Sequence, residues 1–312
     1  MTPVVSIVIP IFNEEASISS VLADIEASCQ DINYEILLVN DGSTDGTSSV
    51  LQTLVNPPKI KLFNLSRNFG QTAAISIGVE NSKGEFIIPI DADGQNDPRD
   101  ILKLIEKCNE GWDVVSGWRS ERKDHFFSRI LPSMIANKLI SFVTGVPLHD
   151  YGCSLKIYRK SILEKVQFYG EIHRFLPAWC AWMGGMVTEV TVNHRARSTG
   201  KSKYGMSRFF KVIIDLITLS FFQSFLFKPN YLFSGTGLFF LFISFLSFLM
   251  ALIDKLGPDQ FDYLRIPLLL LSVFLGLVAI FLISIGLLAE LLARIFFQIR
   301  GQSPYPTTQT KK

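Results

Sequence analysis

The sequence predicts a mostly parallel α/β domain followed by two membrane-spanning helices. In the first half of the chain, short apolar runs alternate with amphipathic segments. This βαβα order is typical of a parallel sheet with helices on both faces. Near the C-terminus, Tyr231–Ile253 and Ile266–Ala289 contain no charged residue. Each run has roughly the 20 residues that a helix needs to cross the hydrocarbon layer, so both are predicted to span a membrane.

Each element of the α/β domain is placed by its hydrophobic pattern. A continuous apolar run that ends in turn residues predicts a buried strand, and apolar residues three or four positions apart predict a helix. In chain order, the pattern predicts strands at 4–12, 34–40, 60–65, 85–90 and 113–117, and helices at 15–29, 46–56, 71–81 and 98–110. The next part is less regular and predicts a helix near 127–144, a turn into a strand at 150–156 and a strand at 187–194.

The composition favours a membrane-associated protein over one that binds nucleic acid. Hydrophobic residues make up 48% of the 312 residues, whereas the formal net charge is only +2. A charge this small gives no basis for nucleic-acid binding. The first strand follows the N-terminus without a basic segment or a small-residue cleavage site, so no secretory signal is expected. The four cysteines lack Cys-x-x-Cys spacing and are expected to be free, mostly buried thiols.

The charges around the two apolar runs predict their orientation. The link Asp254–Arg265 carries three acidic and two basic side chains, whereas the outer flanks are basic. These flanking cations are Arg208, Lys211 and Lys228 before the first run, and Arg294, Arg300, Lys311 and Lys312 after the second. By the positive-inside rule, the α/β domain and both termini are expected in the cytosol and the link outside.

Two carboxylates follow the strand predicted at 85–90. Asp91 and Asp93 lie one residue apart, and Gln95 adds an amide oxygen. Ligands bind beyond the carboxyl ends of the strands in open α/β sheets. Hard oxygen ligands at this position suit Mg²⁺ or Mn²⁺, which complete their coordination with substrate phosphates. The alternative is an Asp-rich turn, while an EF-hand loop is excluded because Leu102 stands where its twelfth-position Glu is required.

Other polar residues cluster at the ends of the predicted strands and would line the same crevice. Asn13 and Glu14 follow the first strand, Asp41 the second, and Arg67 with Asn68 the third. Asp41 is expected to accept a hydrogen bond from a ribose or a base, with an Asx-turn before the next helix as the alternative. Arg67 and Asn68 are expected to contact a base or a phosphate, with a solvated loop as the alternative.

Several cations further along the chain are candidates for phosphate binding. The guanidinium groups of Arg119 and Arg129 are expected to bind phosphate through two hydrogen bonds each, with an ordinary surface position as the alternative. The segment 197–204 combines small residues with Arg197, Lys201 and Lys203. This basic loop is expected to face lipid headgroups or a diphosphate, with a solvated charge run as the alternative.

Two further segments have open alternatives. His173 follows Glu171 in an apolar neighbourhood, where it would orient an acceptor or be a satisfied core histidine. In Ser207–Phe227, apolar residues recur at helical spacing beside charged ones. That pattern is typical of a helix in the membrane interface, and a helix packed on the α/β domain is the alternative.

Four motifs in order resemble a known family. They are Pro10-Ile-Phe-Asn13-Glu14, Val39-Asn-Asp41-Gly-Ser, Asp91-Ala-Asp93-Gly-Gln95 and Arg197-x-x-Gly-x-Ser-Lys-Tyr204. Together with the two C-terminal apolar runs, they resemble family 2 glycosyltransferases of the polyprenyl-phosphate type. The chain is most similar to the bacterial polyprenyl-phosphate glucosyltransferases, relatives of dolichol-phosphate mannose synthase. In many relatives two aspartates precede Gly-Ser, whereas here the first position is Asn40.

The resemblance implies a GT-A fold, a nucleotide-sugar donor, a divalent metal and inverting transfer to a lipid phosphate in the bacterial inner membrane. It implies a catalytic domain at 1–204, an interfacial helix at 205–228, a transmembrane region at 229–292 and a cytosolic tail at 293–312. In this scheme the metal ligands are Asp91, Asp93 and Gln95, and the nucleoside pocket contains Pro10, Asn13, Glu14 and Asp41. The residues facing the phosphates are Arg119, Arg129, Arg197, Ser202, Lys203 and Tyr204. Asp150 would orient the acceptor or the sugar.

The resemblance therefore implies transfer of glucose from UDP-glucose to a membrane polyprenyl phosphate, with Asp91, Asp93 and Asp150 as the catalytic residues and Mg²⁺ or Mn²⁺ as the cofactor. The same reaction with GDP-mannose or a UDP-linked modified arabinose is the first alternative. A processive polysaccharide synthase and a non-catalytic membrane adaptor are the others, and a homo-oligomer is compatible with the sequence.

Overall fold

A computed structural model of the chain describes residues 3–120, 131–168, 170–195, 218, 221, 228–256 and 262–300. The described residues form two compact units, one before and one after the boundary between Leu216 and Ile217. The first unit contains the predicted α/β domain, and the second contains the two apolar helices.

The α/β unit is built on a sheet of seven strands. Their bounds are β1 Val5–Ile11, β2 Tyr34–Asn40, β3 Ile60–Asn64, β4 Phe86–Pro89, β5 Val114–Trp118, β6 Lys156–Arg159 and β7 Val187–Thr191. The strand order is β3-β2-β1-β4-β6-β5-β7. β1 and β2 are apolar almost throughout because strands of a parallel sheet are covered on both faces. The mostly parallel sheet that the sequence predicts is confirmed.

One strand runs against the others. β6 pairs antiparallel with β4 through Phe86 and Arg159, and antiparallel with β5 through Ser116 and Lys156. The start of β6 therefore lies at the edge of the sheet where β4 and β5 end. The turn before β6 was expected from the sequence, but the antiparallel direction of β6 was not.

Seven helices surround the sheet in the described part of this unit. They are α1 Ile18–Ser28, α2 Thr47–Leu54, α3 Gln71–Asn81, α4 Ile101–Asn109, α5 Leu131–Thr144, α6 Lys160–Leu163 and α7 Leu176–Trp182. The helix predicted at 98–110 begins with a 3-10 turn at Pro98–Asp100, where the side chain of Asp97 accepts a hydrogen bond from Arg99 N. α6 and α7 are too short for an apolar period to predict them.

The core lies between the sheet and its helices. Ile7, Ile36 and Ile88, from three adjacent strands, are fully buried. All four cysteines are free and buried, as expected. Burial raises the pKa of the Cys29 thiol to about 11 and that of the Cys108 thiol to about 12, so both remain protonated at neutral pH.

The C-terminal unit contains α8, Pro229–Leu256, and α9, Asp262–Arg300. Within them, Pro229–Leu256 and Leu264–Ile295 have mean hydropathies of 2.4 and 3.0 and are long enough to cross a membrane. The two predicted spans are thus helices of suitable length and composition. The predicted interfacial helix at 207–227 lies outside the described residues, apart from Thr218 and Phe221.

Small and hydroxylated residues bring the two apolar helices together. A Cβ added at Gly237 would lie 2.8 Å from Ile283 Cγ1 and 3.0 Å from the carbonyl oxygen of Ala279. Ser244 Oγ donates to the carbonyl oxygen of Ser272 at 2.8 Å. Close backbone approach and hydrogen bonds between helices are the usual means of association in a bilayer, where lipid leaves little hydrophobic driving force.

Candidate active site

The predicted metal motif lies directly after β4. Gln71 Nε2, at the start of α3, donates to Asp91 Oδ1 at 2.8 Å, and the polar side chain of Ser154 is a neighbour of Asp91 that acts to lower its pKa. Gly94 has a positive φ of 73° and turns the chain, so that Gln95 N donates to Asp93 Oδ1 at 3.1 Å. The turn keeps both carboxylates at the edge where the strands end.

The charges of this motif favour a cation. Burial, followed by the nearby charge of Asp93, raises the pKa of Asp91. A bound cation would relieve the repulsion between the two carboxylates. Among the described residues, no group of three or more His, Cys, Asp or Glu side chains surrounds a common point. Two carboxylates and an amide match Mg²⁺ or Mn²⁺, because these ions commonly use one or two carboxylates together with substrate phosphates. The residues present therefore fit the implied metal.

The residues after β1 are fixed against the turn that follows β2. Asn13 has a positive φ of 57°, and its Oδ1 accepts a hydrogen bond from Thr44 N at 2.8 Å. Glu14 N donates to Thr47 Oγ1 at 3.0 Å. Pro10 is level with Val39 in the parallel pairing of β1 and β2. These contacts place Pro10, Asn13 and Glu14 at the carboxyl end of β1, beside the end of β2.

Asp41 anchors the chain that leads into α3. It is 3% exposed, and its two carboxylate oxygens accept hydrogen bonds from Phe69 N at 2.7 Å and Gly70 N at 2.9 Å. The side chain that makes an Asx-turn before α2 is that of Asp45, which accepts from Thr47 N at 3.0 Å. The structure thus gives Asp41 a positioning role that the sequence did not predict, and its contact with a nucleoside stays a prediction.

A cavity of about 610 Å³ lies between the ends of β2 and β3. Arg67 and Asn68 line it together with Phe12, Asn40, Gly42, Ser43, Thr44, Ser48, Gln52, Asn64, Leu65 and Ser66. Gly42 has a φ of +66°, and a Cβ there would lie 2.4 Å from the carbonyl carbon of Arg67. This close backbone approach holds the Arg67–Asn68 segment beside the turn after β2.

Asn40 is part of the wall of this cavity. It is 4% exposed, and its Nδ2 donates to Ser48 Oγ and Asn64 Oδ1, both at 3.0 Å. Its Oδ1 accepts from Ser43 N at 3.0 Å. An amide supplies both donors and an acceptor here, whereas an ionised carboxylate only accepts.

Arg119 and Asp150 form a bidentate ion pair at the same edge of the sheet. Arg119 Nε donates to Asp150 Oδ2 at 2.7 Å, and Nη2 donates to Oδ1 at 3.0 Å. Their side chains are 17% and 3% exposed. Burial alone would lower the pKa of Arg119, but the hydrogen bonds and charge of Asp150 outweigh burial and raise it. Asp150 therefore fixes the position and charge of Arg119.

A buried lysine that sequence reasoning missed supports the turn between Asp150 and β6. Lys156 is 4% exposed, and its Nζ donates to the carbonyl oxygens of Tyr151, at 3.0 Å, and Cys153. Burial lowers its pKa, although Asp150 and Asp91 act in the opposite direction. A charged residue within the apolar run 155–158 was the available signal. Gln71 and Ser154 were also missed, because nothing in their sequence neighbourhoods indicates contact with Asp91.

The remaining predicted site residues have different outcomes. His173 Nδ1 lies 2.8 Å from Thr72 Oγ1, and its side chain is 12% exposed. This contact agrees with the alternative of a satisfied, largely buried histidine. Six predicted residues lie outside the described residues, namely Arg129, Arg197, Lys201, Ser202, Lys203 and Tyr204.

Comparisons with known proteins identify the family of this chain. The model of glycosyl transferase family 2 matches residues 6–167. A dodecaprenyl-phosphate galacturonate synthase from Rhizobium johnstonii is 41% identical over 97% of this chain and 92% of its own length. An undecaprenyl-phosphate 4-deoxy-4-formamido-L-arabinose transferase from Aeromonas hydrophila is 35% identical over 96% of this chain and 92% of its own. The chain belongs to glycosyl transferase family 2.

Solved structures confirm the predicted GT-A fold. Glucosyl-3-phosphoglycerate synthase from Mycobacterium tuberculosis in complex with Mn²⁺, UDP and phosphoglyceric acid has a TM-score of 0.56 and 15% identity, covering 71% of this chain and 78% of that one. Its complex with Mg²⁺ and UDP has the same TM-score and identity and covers 71% and 79%. The expected family and enzyme class, glycosyltransferase, are confirmed as well.

Proposed function

We propose that this enzyme transfers one sugar from a nucleoside diphosphate to a polyprenyl phosphate at the cytosolic face of a membrane. The observation that carries the proposal is one edge of the sheet, where the coupled carboxylates of Asp91 and Asp93 lie with the Arg119–Asp150 ion pair. Electrostatic interaction between Arg119 and Asp91 links the two pairs. The two apolar helices and the polyprenyl-phosphate specificity of both curated relatives support the lipid acceptor.

The divalent cation, Mg²⁺ or Mn²⁺, is proposed to bind Asp91, Asp93 and Gln95. When bound, it would stabilise negative charge on the departing diphosphate as a Lewis acid. Gln71 orients Asp91 through a hydrogen bond, so that this ligand is in place before the donor arrives. The Mn²⁺ and Mg²⁺ bound with UDP in glucosyl-3-phosphoglycerate synthase support this assignment.

The acceptor supplies its own nucleophile. A lipid phosphate is ionised at neutral pH, so its oxygen attacks the anomeric carbon without a strong general base. The bond between that carbon and the diphosphate oxygen breaks, the electron pair leaves with the diphosphate, and the configuration inverts. Arg119, held by Asp150, is proposed to bind phosphate oxygens in this step, since fixed donors stabilise developing charge without reorganisation.

The remaining predicted residues are proposed to bind the ends of the two substrates. Pro10, Asn13, Glu14 and Asp41 would contact the nucleoside, and the 610 Å³ cavity that Arg67 and Asn68 line provides space beside them. The cations and polar groups proposed to face phosphates are Arg129, Arg197, Lys201, Ser202, Lys203 and Tyr204.

The proposed arrangement in the membrane follows from the flanking charges. The catalytic domain is proposed at 1–204, the interfacial helix at 205–228, the two spans at 229–292 and the tail at 293–312. Basic residues outside the two spans favour cytosolic termini, which place the catalytic domain on the side where nucleotide sugars are made.

The donor is proposed to be a UDP-linked sugar. Glucose is the sugar that the family resemblance implies, whereas the 41% identical relative makes a galacturonate product. These sugars differ at C6, where galacturonate carries a carboxylate and glucose a hydroxymethyl group, and also in the configuration at C4. GDP-mannose and UDP-linked formamido-arabinose are the remaining candidates, the latter supported by the Aeromonas relative.

A donor screen tests the proposal directly. The full chain in detergent would be incubated with each nucleotide sugar and a short polyprenyl phosphate, with and without EDTA. Mass spectrometry would then measure the masses of the lipid products. We expect one sugar per lipid with a single preferred donor, and no product with EDTA. Addition of many sugars would instead indicate a processive synthase, and absence of both transfer and nucleotide binding a non-catalytic adaptor.

A matched pair of variants tests the metal ligands. Asp93→Asn removes one charge at the proposed site, whereas Asp31→Asn removes one from an exposed position. Loss of a preorganised electrostatic contact costs about 3 kcal/mol of barrier, so transfer by Asp93→Asn should fall by about 100-fold. Asp31→Asn should keep wild-type activity. Normal metal-dependent turnover in Asp93→Asn would contradict the ligand assignment.

A further inference from the structure

The segment after β7 is attached to the far end of the metal motif. His194 and Asn96 form an antiparallel bridge, and Arg195 N donates to the carbonyl oxygen of Gln95 at 3.0 Å. The main chain of the proposed metal ligand Gln95 is thus hydrogen-bonded to the segment that forms this short bridge. Arg195 is the last described residue before the basic loop at 197–204.

The side chain of Arg195 joins two carboxylates of very different exposure. Its Nη2 donates to Asp97 Oδ1 at 2.9 Å, and its Nη1 donates to Asp24 Oδ2, on α1, at 2.5 Å. The Asp97 side chain is 1% exposed, whereas that of Asp24 is 51% exposed. Asp97 also accepts a hydrogen bond from Arg99, on the same turn, with Nη2 at 2.6 Å from Oδ2. The inner contact of Arg195 is therefore made to a buried carboxylate, and the outer contact to a solvated one.

Two further contacts connect the same bridge with the catalytic edge. Asp100, also buried, accepts a hydrogen bond from Asn193 N at 2.6 Å. On the other side, Asn96 Nδ2 donates to Ser154 Oγ at 3.0 Å, and Ser154 is a polar neighbour of Asp91. The bridge at 193–195 is thus joined through Asn96 to a side chain beside the proposed metal ligand Asp91.

We propose that Arg195 is a positioning residue that couples the metal motif to the entry of the basic loop. Its contact with Asp97 holds the bridge, the bridge holds the main chain of Gln95, and the same anchor fixes where the chain leaves for residues 197–204. The inference rests on the proposed function, because it takes Asp91, Asp93 and Gln95 as metal ligands and the basic loop as a phosphate-binding element.

The proposal distinguishes the inner contact of Arg195 from the outer one. Loss of the contact with buried Asp97 should disturb the bridge, because Arg195 joins the chain after β7 to the turn at Asp97. Arg99, the other partner of Asp97, lies on that turn itself and cannot replace this link. Loss of the contact with Asp24 should have little effect, because an ion pair with an exposed partner contributes little. A variant that loses the contact with Asp97 should therefore change both metal affinity and acceptor binding. A variant that loses only the contact with Asp24 should change neither.

Arg195→Gln and its matched control Asp24→Asn test this with the full chain in detergent. Calorimetry would measure binding of Mn²⁺ in the presence of UDP, and steady-state kinetics the KM for a short polyprenyl phosphate. Partners that orient metal ligands contribute about 10-fold or more to affinity, so Arg195→Gln should weaken Mn²⁺ binding by about 10-fold and also raise the acceptor KM. Asp24→Asn should change neither quantity.

A third variant keeps the test decisive if Arg195→Gln does not fold. Arg195→Lys retains a cation that reaches only one carboxylate at a time, and it should show the same paired change to a smaller extent. Wild-type Mn²⁺ binding and KM in folded Arg195→Gln, or an equal loss in Asp24→Asn, would overturn the proposal. Failure of the wild-type protein to bind Mn²⁺ with UDP would instead overturn the proposed function.

Discussion

Arg119 and Asp150 meet through two parallel hydrogen bonds, of 2.7 and 3.0 Å, although they lie 31 residues apart in the chain. Arg119 follows β5, and Asp150 precedes β6. Residues after one strand and before the next meet at one edge only when the two strands are antiparallel, as β5 and β6 are. The ion pair is thus a direct product of the reversed strand.

Replacing Asp150 by asparagine should destabilise the α/β unit and reduce transfer. Asp150→Asn keeps the size of the side chain but leaves the charge of Arg119 without its bidentate partner. Breaking a buried pair by removing one charge costs about 3–5 kcal/mol, and urea unfolding followed by tryptophan fluorescence would measure it. The exposed control Asp31→Asn should unfold like wild type. An unchanged urea midpoint in Asp150→Asn would show that the pair does not stabilise the fold.

Alanine at position 42 should narrow the cavity between β2 and β3. Gly42 has a φ of +66°, and a Cβ there meets the backbone of Arg67, whereas Gly145 has a φ of +72° and a Cβ there meets no described atom within 4 Å. Gly145→Ala therefore measures backbone strain alone, about 1–3 kcal/mol. Gly42→Ala should lose more stability and also bind UDP less tightly by calorimetry. Equal effects of the two substitutions on UDP binding would contradict the importance of this close approach.

The stabilising contribution of Glu35 should be lost at acidic pH. Burial acts to raise the pKa of Glu35, but hydrogen bonds from Lys61, Ser6 and Lys83 outweigh burial and lower it. A carboxyl whose folded pKa is depressed stabilises the fold above its unfolded pKa, about 4.3, and that contribution is lost as pH falls through the folded pKa. Glu35→Gln should flatten this part of the curve of melting temperature against pH. Glu26→Gln, which removes an exposed surface pair, should follow wild type.

Leucine at position 237 should separate the two apolar helices. A Cβ at Gly237 would lie within 3.0 Å of α9, whereas a Cβ at Gly235 meets no described atom within 4 Å. Gly237→Leu should therefore lower the melting temperature of the C-terminal unit in detergent, measured by far-ultraviolet circular dichroism, and Gly235→Leu should not. The same melting temperature in both variants would indicate that the helices do not pack through Gly237.

Local patterns predicted most of the first half of the fold. β2 and α3 have the bounds that the sequence predicts, because β2 is centred on the apolar run Ile36–Val39 and Gln71–Asn81 begins after a glycine turn. The Asp91–Gln95 motif was placed correctly after β4, since the end of a buried strand is visible in the sequence. Such features depend on residues that are neighbours in the chain.

The parts that were missed depend on distant residues. Hydrophobic pattern gives the position of a strand but not its direction, so the antiparallel pairing of β6 could not be predicted. The partner of Asp150 and the contact between Ser154 and Asp91 follow from that pairing. Asp41 was expected to face a nucleoside, but its hydrogen bonds to Phe69 and Gly70 join segments 28 and 29 residues apart. No local signal records these distances.

The reversal of β6 also brings two oppositely directed parts of the chain to the proposed catalytic edge. The residues proposed to bind the donor follow β1, β2 and β4, whereas Asp150 and Ser154 precede β6. The stretch that precedes β6 is bounded by secondary structure on both sides, by α5 and by β6 itself. A change in that stretch would reach Arg119 through Asp150, so its evolution is tied to that of the proposed phosphate-binding group.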